Sequence, residues 1–351
     1  MTDLEGWLRQ HRDGRPGGRR RPKAPRREVT TWREEELLDG EVVGALVGIL
    51  ETRGCSHERD HAGCTMCGYS SDTPVRAPTE EELLAQVEHV ASRRGDARWV
   101  KLYTSGSMLD PEEVPAGVLE AILETFGDAD MLTVESRAEH VSLHRVQSLG
   151  DPGRREVAIG LESACERVLE GSVHKGMDMQ GFRDAASVVR GCGAGLRAYV
   201  LLKPPFLTES EAIEDAVEAA LAAADAGATT VSLNPVSVHG DTLVDFMHFR
   251  GDYSPPWLWS VVRVMVQASG EMPETTRIVS SPTGGGKSRG AHNCGRCDAD
   301  VLRAIEFHRL SGDVQELLEV PDCVCKARWE AQLELEGYLQ GPFAPADYRR
   351  G

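Results

Sequence analysis

From residue 42 onward, short apolar runs alternate with segments of helical period. The first run, residues 42–50, reads Val-Val-Gly-Ala-Leu-Val-Gly-Ile-Leu and is continuous, as in a strand buried on both faces. Five further strands are predicted at residues 98–103, 131–135, 156–161, 196–203 and 229–234. The helices between them have legible starts. Thr79 and Glu82 form a capping box before Leu83, Leu84, Val87, Val90 and Ala91. Thr208 and Glu211 form another before an alanine-rich helix that ends near Gly227. Asp110-Pro111 sets an N-cap and a first-turn proline before Val114, Leu119, Ile122 and Leu123. Six strands, each followed by a crossover, predict an α/β fold: a parallel sheet curved into a partial (β/α)6 barrel. Its working residues belong at the carboxyl ends of the strands.

After about residue 256 the pattern changes to a helix, a Gly-rich loop, four cysteines and two more helical segments. The predicted organisation is a basic flexible arm over residues 1–31, a core over 32–255, and a small C-terminal helical appendage over 256–351 with a four-cysteine metal site. Within the arm, residues 9–27 hold nine basic side chains and one acid, Asp13, and are rich in Pro and Gly. That segment carries +8 and leaves −25 for the rest of a chain whose net charge is −17. It reads either as a grip on phosphates or as a solvated terminus.

Composition narrows the class. At 40% hydrophobic and 27% charged, 351 residues are globular, with length for a catalytic domain and one small addition. No apolar run approaches the roughly 20 residues that span a bilayer, and no apolar stretch follows the basic N-terminus as a secretory signal requires. The expected location is the cytoplasm. Six lysines against 33 arginines on an acidic body resemble a haloarchaeal protein. In about 1 M salt the Debye length is roughly 3 Å, so the acidic balance does not exclude a nucleic-acid partner.

Nine cysteines without a secretory signal point to reduced thiols and metal ligation. Cys55, Cys64 and Cys67 follow the first strand as C-x8-C-x2-C. Three thiolates suit a [4Fe–4S] cluster with one iron left open, whereas His57 or His61 could complete a zinc site instead. Cys294, Cys297, Cys323 and Cys325 form C-x2-C and C-x-C pairs, a four-thiolate signature for zinc or an auxiliary iron–sulfur cluster. Cys165 and Cys192 read as apolar fillers. The loop Ser281-Pro282-Thr283-Gly284-Gly285-Gly286-Lys287-Ser288 lacks the first glycine of a Walker motif and runs on toward Cys294, which excludes nucleotide hydrolysis. Lys287 and Arg289 remain candidates for an RNA phosphate.

Behind the cysteine triad stand Tyr103-Thr104-Ser105-Gly106-Ser107-Met108-Leu109-Asp110, Glu135-Ser136-Arg137, Gly160-Leu161-Glu162-Ser163 and Ser232-Leu233-Asn234-Pro235, each at a strand end. In this order they resemble the radical SAM superfamily, and the long first cysteine gap resembles the branch of the elongator catalytic subunit. A closer resemblance rests on Cys64-Thr65-Met66-Cys67-Gly68-Tyr69, residues 203–209, residues 232–235, residues 253–260 and residues 292–298. These look like the radical SAM subunits of archaeal archaeosine synthase, the RaSEA family.

That resemblance implies a [4Fe–4S] cluster on Cys55, Cys64 and Cys67, with S-adenosylmethionine in a pocket lined by Ser105, Gly106, Ser107, Glu162 and Asn234. No catalytic side chain is expected beyond the cluster ligands. It also implies the reaction: cleavage of the lysine carbon–nitrogen bond in a lysine adduct of 7-cyano-7-deazaguanine in the tRNA D-arm. Partners would be that tRNA, the lysine-transferase subunit and an electron donor, with no membrane. Lys203, His239 and Lys175 are candidates for the lysine carboxylate or the RNA, or else are solvated charges. Tyr253, Trp257 and Trp259 read as a hydrophobic seam rather than a base-stacking platform. Competing readings are a radical SAM tRNA methylation or sulfur insertion, and a metal-stabilised tRNA-binding subunit without chemistry.

Overall fold

The computed structural model describes residues 4–13, 24–69 and 73–336. Its eight strands are β1 (Thr30–Leu38), β2 (Glu41–Ile49), β3 (Trp99–Tyr103), β4 (Met131–Ser136), β5 (Arg155–Glu162), β6 (Gly195–Leu202), β7 (Thr230–Pro235) and β8 (Arg277–Ser280). They follow one another in chain order across one mixed sheet. β1 and β2 are antiparallel, whereas β2–β3, β3–β4, β4–β5 and β7–β8 are parallel. The six strands predicted from the apolar runs are β2 to β7, each within one residue of its predicted limits. Together they make the expected α/β partial barrel, extended by β1 at one edge and β8 at the other.

The helices are α1 (Leu4–Asp13), α2 (Ser56–His61), α3 (Glu80–Ser92), α4 (Ala116–Phe126), α5 (Leu143–Gln147), α6 (Glu166–Val168), α7 (Met179–Gly191) and α8 (Glu209–Asp225). They continue with α9 (Leu243–Arg250), α10 (Leu258–Glu271), α11 (Asp298–Ser311), α12 (Gln315–Leu318) and α13 (Val324–Glu336). No helix among the described residues is long and apolar enough to cross a membrane. Both capping boxes form: Glu82 N–H donates to Thr79 Oγ1 at 3.2 Å, and Glu211 N–H donates to Thr208 Oγ1 at 3.2 Å.

The continuous apolar run of β2 is covered as its pattern requires. Ala45, Leu46 and Val47 are buried, and at Gly48 a Cβ would lie 2.8 Å from Val90 of α3. The missing side chain lets that helix close onto the strand.

Three features differ from the sequence expectation. β1 was not predicted, because Thr-Thr-Trp-Arg-Glu-Glu-Glu-Leu-Leu reads as polar; Asp39-Gly40, with φ of 50° and 83°, closes it onto β2 as a tight hairpin. α4 starts at Ala116 rather than after Asp110. The Asp110 side chain accepts from Glu112 N–H at 2.8 Å and its carbonyl from Val114 N–H at 2.8 Å, so a turn forms first and Pro115 precedes the helix. The arm expected to be flexible contains α1, with Leu8 buried, while its residues 14–23 lie outside the described residues.

Contacts divide the chain into two compact units: residues 1–63, 68–160 and 180–197, and residues 64–67, 161–179 and 198–351. The first unit contains a polar ladder on one face of the sheet. Lys101 is ion-paired with Glu34 at 2.7 Å and with Glu36; two residues earlier on the same strand, Trp99 Nε1 donates to Thr133 Oγ1 at 2.8 Å. Thr133 Oγ1 donates to Glu156 Oε2 at 2.8 Å, and Arg197 Nε donates to the same oxygen at 2.9 Å. The second unit includes the segment expected as an appendage, which supplies β8 to the sheet.

Replacing Thr208 with Ala removes the α8 cap and should lower unfolding free energy by about 1 kcal/mol, whereas Thr208→Ser should stay near the parent. Urea denaturation in strong salt measures both.

Candidate functional site

In the first unit, β2 leads through buried Leu50, Glu51 and Thr52 to Cys55, the N-cap of α2. The loop after β3 lies directly against it: a Cβ on Gly106 would stand 2.7 Å from Cys55 Cα and 2.1 Å from Glu113 Oε1. Only glycine fits there. Glu113 ties the two loops, accepting from Ser107 N–H at 3.1 Å and from Thr52 Oγ1 at 2.9 Å, and burial pushes its carboxyl up to about 7. Ser107 Oγ accepts from Arg137 N–H at 3.0 Å, and Glu135 Oε1 from Thr104 N–H at 2.8 Å, so the exits of β3 and β4 are bonded together.

Ser56 Oγ lies 3.2 Å from His140 Nε2, which is 3.6 Å from Asp110 Oδ2. Sequence reasoning missed Glu113 and His140, since neither stands in a recognisable motif. Burial raises the Cys55 thiol, against the opposing pull of the nearby Arg137 charge. Among the described residues, His57, His61 and Cys55 do not gather as a single-ion site. His61 instead faces Glu5 of α1 at 3.7 Å.

In the second unit, Cys64 and Cys67 close a turn, with Cys67 N–H donating to Cys64 C=O at 3.3 Å. Thr65 between them donates from Oγ1 to Ser172 C=O at 2.7 Å and from N–H to Val173 C=O at 3.0 Å. Glu162, at the end of β5, has φ of 71° and pairs with Lys175 Nζ at 2.7 Å. Lys203, just past β6, has φ of 63° and pairs with Glu209 at 2.7 Å. Neither lysine is a solvated charge: their side chains are 8% and 9% exposed. Ser163 Oγ donates to Asp215 Oδ1 at 2.6 Å, and burial pushes the Asp215 carboxyl up to about 7.

Asn234, the penultimate residue of β7, is half-buried. His239 is exposed and lies 2.9 Å from Ser237 Oγ. Arg289 turns back onto its own unit, donating to Val238 C=O at 2.9 Å and pairing with Asp245 at 2.8 Å, while Lys287 is exposed. The loop holding them is laced by Gly285 N–H to Pro282 C=O and Lys287 N–H to Gly284 C=O, and α11 starts only at Asp298. Tyr253 and Trp259 are buried, and Tyr253 Oη donates to Lys203 C=O at 2.8 Å, so this aromatic segment packs inside the second unit.

Cys294, Cys297, Cys323 and Cys325 converge, with all four sulfurs within 4.8 Å of one another. The Cys294–Cys297, Cys294–Cys323 and Cys297–Cys325 separations are 4.0, 3.6 and 3.5 Å. A tetrahedral ion with metal–sulfur bonds of about 2.3 Å places its sulfurs roughly 3.8 Å apart. Thiolates on a four-iron cube each bind a different iron and stand further apart, so these spacings fit a single ion. The Arg296 backbone N–H draws the exposed Cys294 thiol down to about 6.

No family model matches the chain. It is 34% identical over 330 residues to archaeosine synthase subunit beta of Methanosarcina acetivorans, covering 92% of this chain and 94% of that protein. This chain belongs to the archaeosine synthase subunit beta family. The subunit beta of Thermococcus kodakarensis is likewise 34% identical over 318 residues, covering 87% of this chain and 97% of its own. Among solved structures, this family member is similar to methylornithine synthase at a TM-score of 0.49 and 13% identity, over 94% of this chain and 90% of that one.

Gly106→Ala should push the β3 exit loop away from Cys55, since one of the clashing atoms is backbone; a lowered melting temperature and faster amide exchange over residues 52–58 would register it. Asp215 gives a pH effect. Its folded pKa lies above the unfolded value, so the stability it contributes is present below about pH 4 and falls as pH rises toward 7. Asp215→Asn should flatten that part of the stability–pH curve, measured by denaturant titration from pH 4 to 8.

Proposed function

We propose that the chain is the radical SAM lyase subunit of an archaeosine synthase. It cleaves the lysine carbon–nitrogen bond of the lysine adduct of 7-cyano-7-deazaguanine in the tRNA D-arm and leaves the amidine of archaeosine. The observation that carries this reading is similarity along almost the whole chain to archaeosine synthase subunit beta from two archaea. The donor sets agree with it. Cys55, Cys64 and Cys67 supply three thiolates, the number that leaves one iron of a [4Fe–4S] cluster open. Cys55, Cys64 and Cys67 would hold the cluster, which together with bound S-adenosylmethionine would supply the means of removing a hydrogen atom from the substrate.

The chain's own part is to hold and orient. The bare Cα of Gly106 brings the backbone of residues 105–107 against Cys55, the approach a bound amino acid beside the cluster requires. Ser105, Gly106, Ser107, Glu162 and Asn234 line the cofactor pocket in this reading. Glu162 is held in a left-handed conformation by the fold and paired with Lys175, so its carboxylate is pre-oriented rather than free to rotate. The four C-terminal thiols hold one zinc ion as structural support. The partners are the lysine-adduct tRNA, a lysine-transferase subunit and an electron donor, and the location is the cytoplasm.

The test is anaerobic and in strong salt. The reconstituted protein with S-adenosylmethionine and reductant should release 5′-deoxyadenosine faster when lysine-adduct tRNA is present, with archaeosine formed. Cys55→Ala, Cys64→Ala or Cys67→Ala should abolish both while the far-ultraviolet circular dichroism stays that of the parent. Release indifferent to the adduct tRNA would overturn the substrate. Transfer of a methyl group or sulfur would replace the lyase with another tRNA modification.

A further inference from the structure

A chain of contacts in the second unit leads from the four-thiol group to the exit of β6. Trp259 Nε1 donates to Cys325 Sγ at 3.3 Å. Its backbone N–H donates to Asn293 Oδ1 at 3.3 Å, and Asn293 Nδ2 donates to Cys297 Sγ at 3.4 Å. The next residue, Ser260, is fully buried; its Oγ accepts from Trp329 Nε1 at 2.9 Å and donates to Glu209 Oε1. The backbone N–H of Trp257 donates to that same carboxylate oxygen at 2.8 Å. The other oxygen of Glu209 faces Lys203 Nζ at 2.7 Å.

Glu209 has no exposed surface, and it sits at two helix starts at once. It is the first residue of α8, and its acceptors face Trp257 and Ser260 in the first turn of α10. Both helix N-termini and the Lys203 ammonium stabilise the negative charge there. The position of α10 relative to α8 therefore decides whether this carboxylate, and the lysine it holds, stay in place. Trp259 and Asn293 bind the start of α10 to two of the four sulfurs. Hydrogen bonds to sulfur strengthen when the thiol becomes a metal-bound thiolate.

We propose that a single ion held by Cys294, Cys297, Cys323 and Cys325 is the anchor of the Lys203–Glu209 pair. Trp259, Asn293 and Ser260 are the positioning residues that carry the constraint to the left-handed exit of β6. This rests on the reading of the four thiols as a filled metal site and is independent of the reaction.

Metal content comes first: purified full-length protein should carry one tetrahedrally bound ion per chain by mass spectrometry, and the cobalt(II) form should show tetrathiolate charge-transfer bands. Hydrogen exchange then compares loaded protein with protein whose ion is removed by a thiol-blocking reagent and chelator. Residues 201–210 should exchange at least tenfold faster without the ion, while residues 99–103 and 131–136 keep their protection. Ser260→Ala should retain the ion and still speed exchange over 203–210. Trp259→Phe, which keeps the ring but not the N–H, should shift the cobalt bands and weaken the ion at least tenfold.

Absence of any bound ion overturns the proposal, as does unchanged protection at 201–210 after ion loss. If ion removal melts the whole chain, Ser260→Ala decides: parental protection over 203–210 with the ion in place overturns the coupling. None of these readouts needs S-adenosylmethionine or tRNA, so their failure is distinct from failure of the lyase reading.

Discussion

A charge withdrawn from water has to be neutralised where it is buried, and that requirement organises both units of this protein. In the first unit Lys101 is enclosed because Glu34 and Glu36 reach it from β1, and Glu156 is enclosed because Arg197 and Thr133 reach it. In the second unit Glu162 is enclosed with Lys175, and Glu209 with Lys203. Removing one partner would leave the other as an uncompensated buried charge, so each pair fixes the elements that supply it. The acids of β1 hold a polar strand on the sheet edge. The Glu209 carboxylate holds two helix starts and a strand exit.

The same requirement shapes the strand exits where chemistry is expected. Glu162 and Lys203 both take positive φ although neither is glycine, a conformation that costs about 1–2 kcal/mol for an L-residue. Their ion pairs over-determine the conformation and hold it. Gly106 shows the complementary device: no side chain at all, so that two loops can touch. Side chains and backbone at these exits are thus held in place by contacts within the chain itself.

Much of this was legible from residue order. Short apolar runs alternating with segments of helical period located β2 to β7, and the run of β2 is continuous as a strand covered on both faces requires. Capping boxes are local, and those at Thr79 and Thr208 formed as written. β1 escaped because its inward carboxylates are explained only by Lys101, 65 residues or more away in sequence, although Asp39-Gly40 was a usable hairpin signal. The start of α4 moved because Asp110 spent its acceptors on a turn. Lys175 and Lys203 looked available for an anionic ligand, since a sequence shows a charge without its counter-charge.

Residue order by itself determined what depends on spacing and type: six core strands, two helix caps, a three-thiol and a four-thiol set, and the family those motifs resemble. Local rules suffice there, because periodicity and capping act over a few residues. Tertiary structure alone decided which charges are spent on one another, why position 106 admits no side chain, and how close the four sulfurs stand. Those are distances between segments far apart in the chain, and only closure of the core around them sets their values.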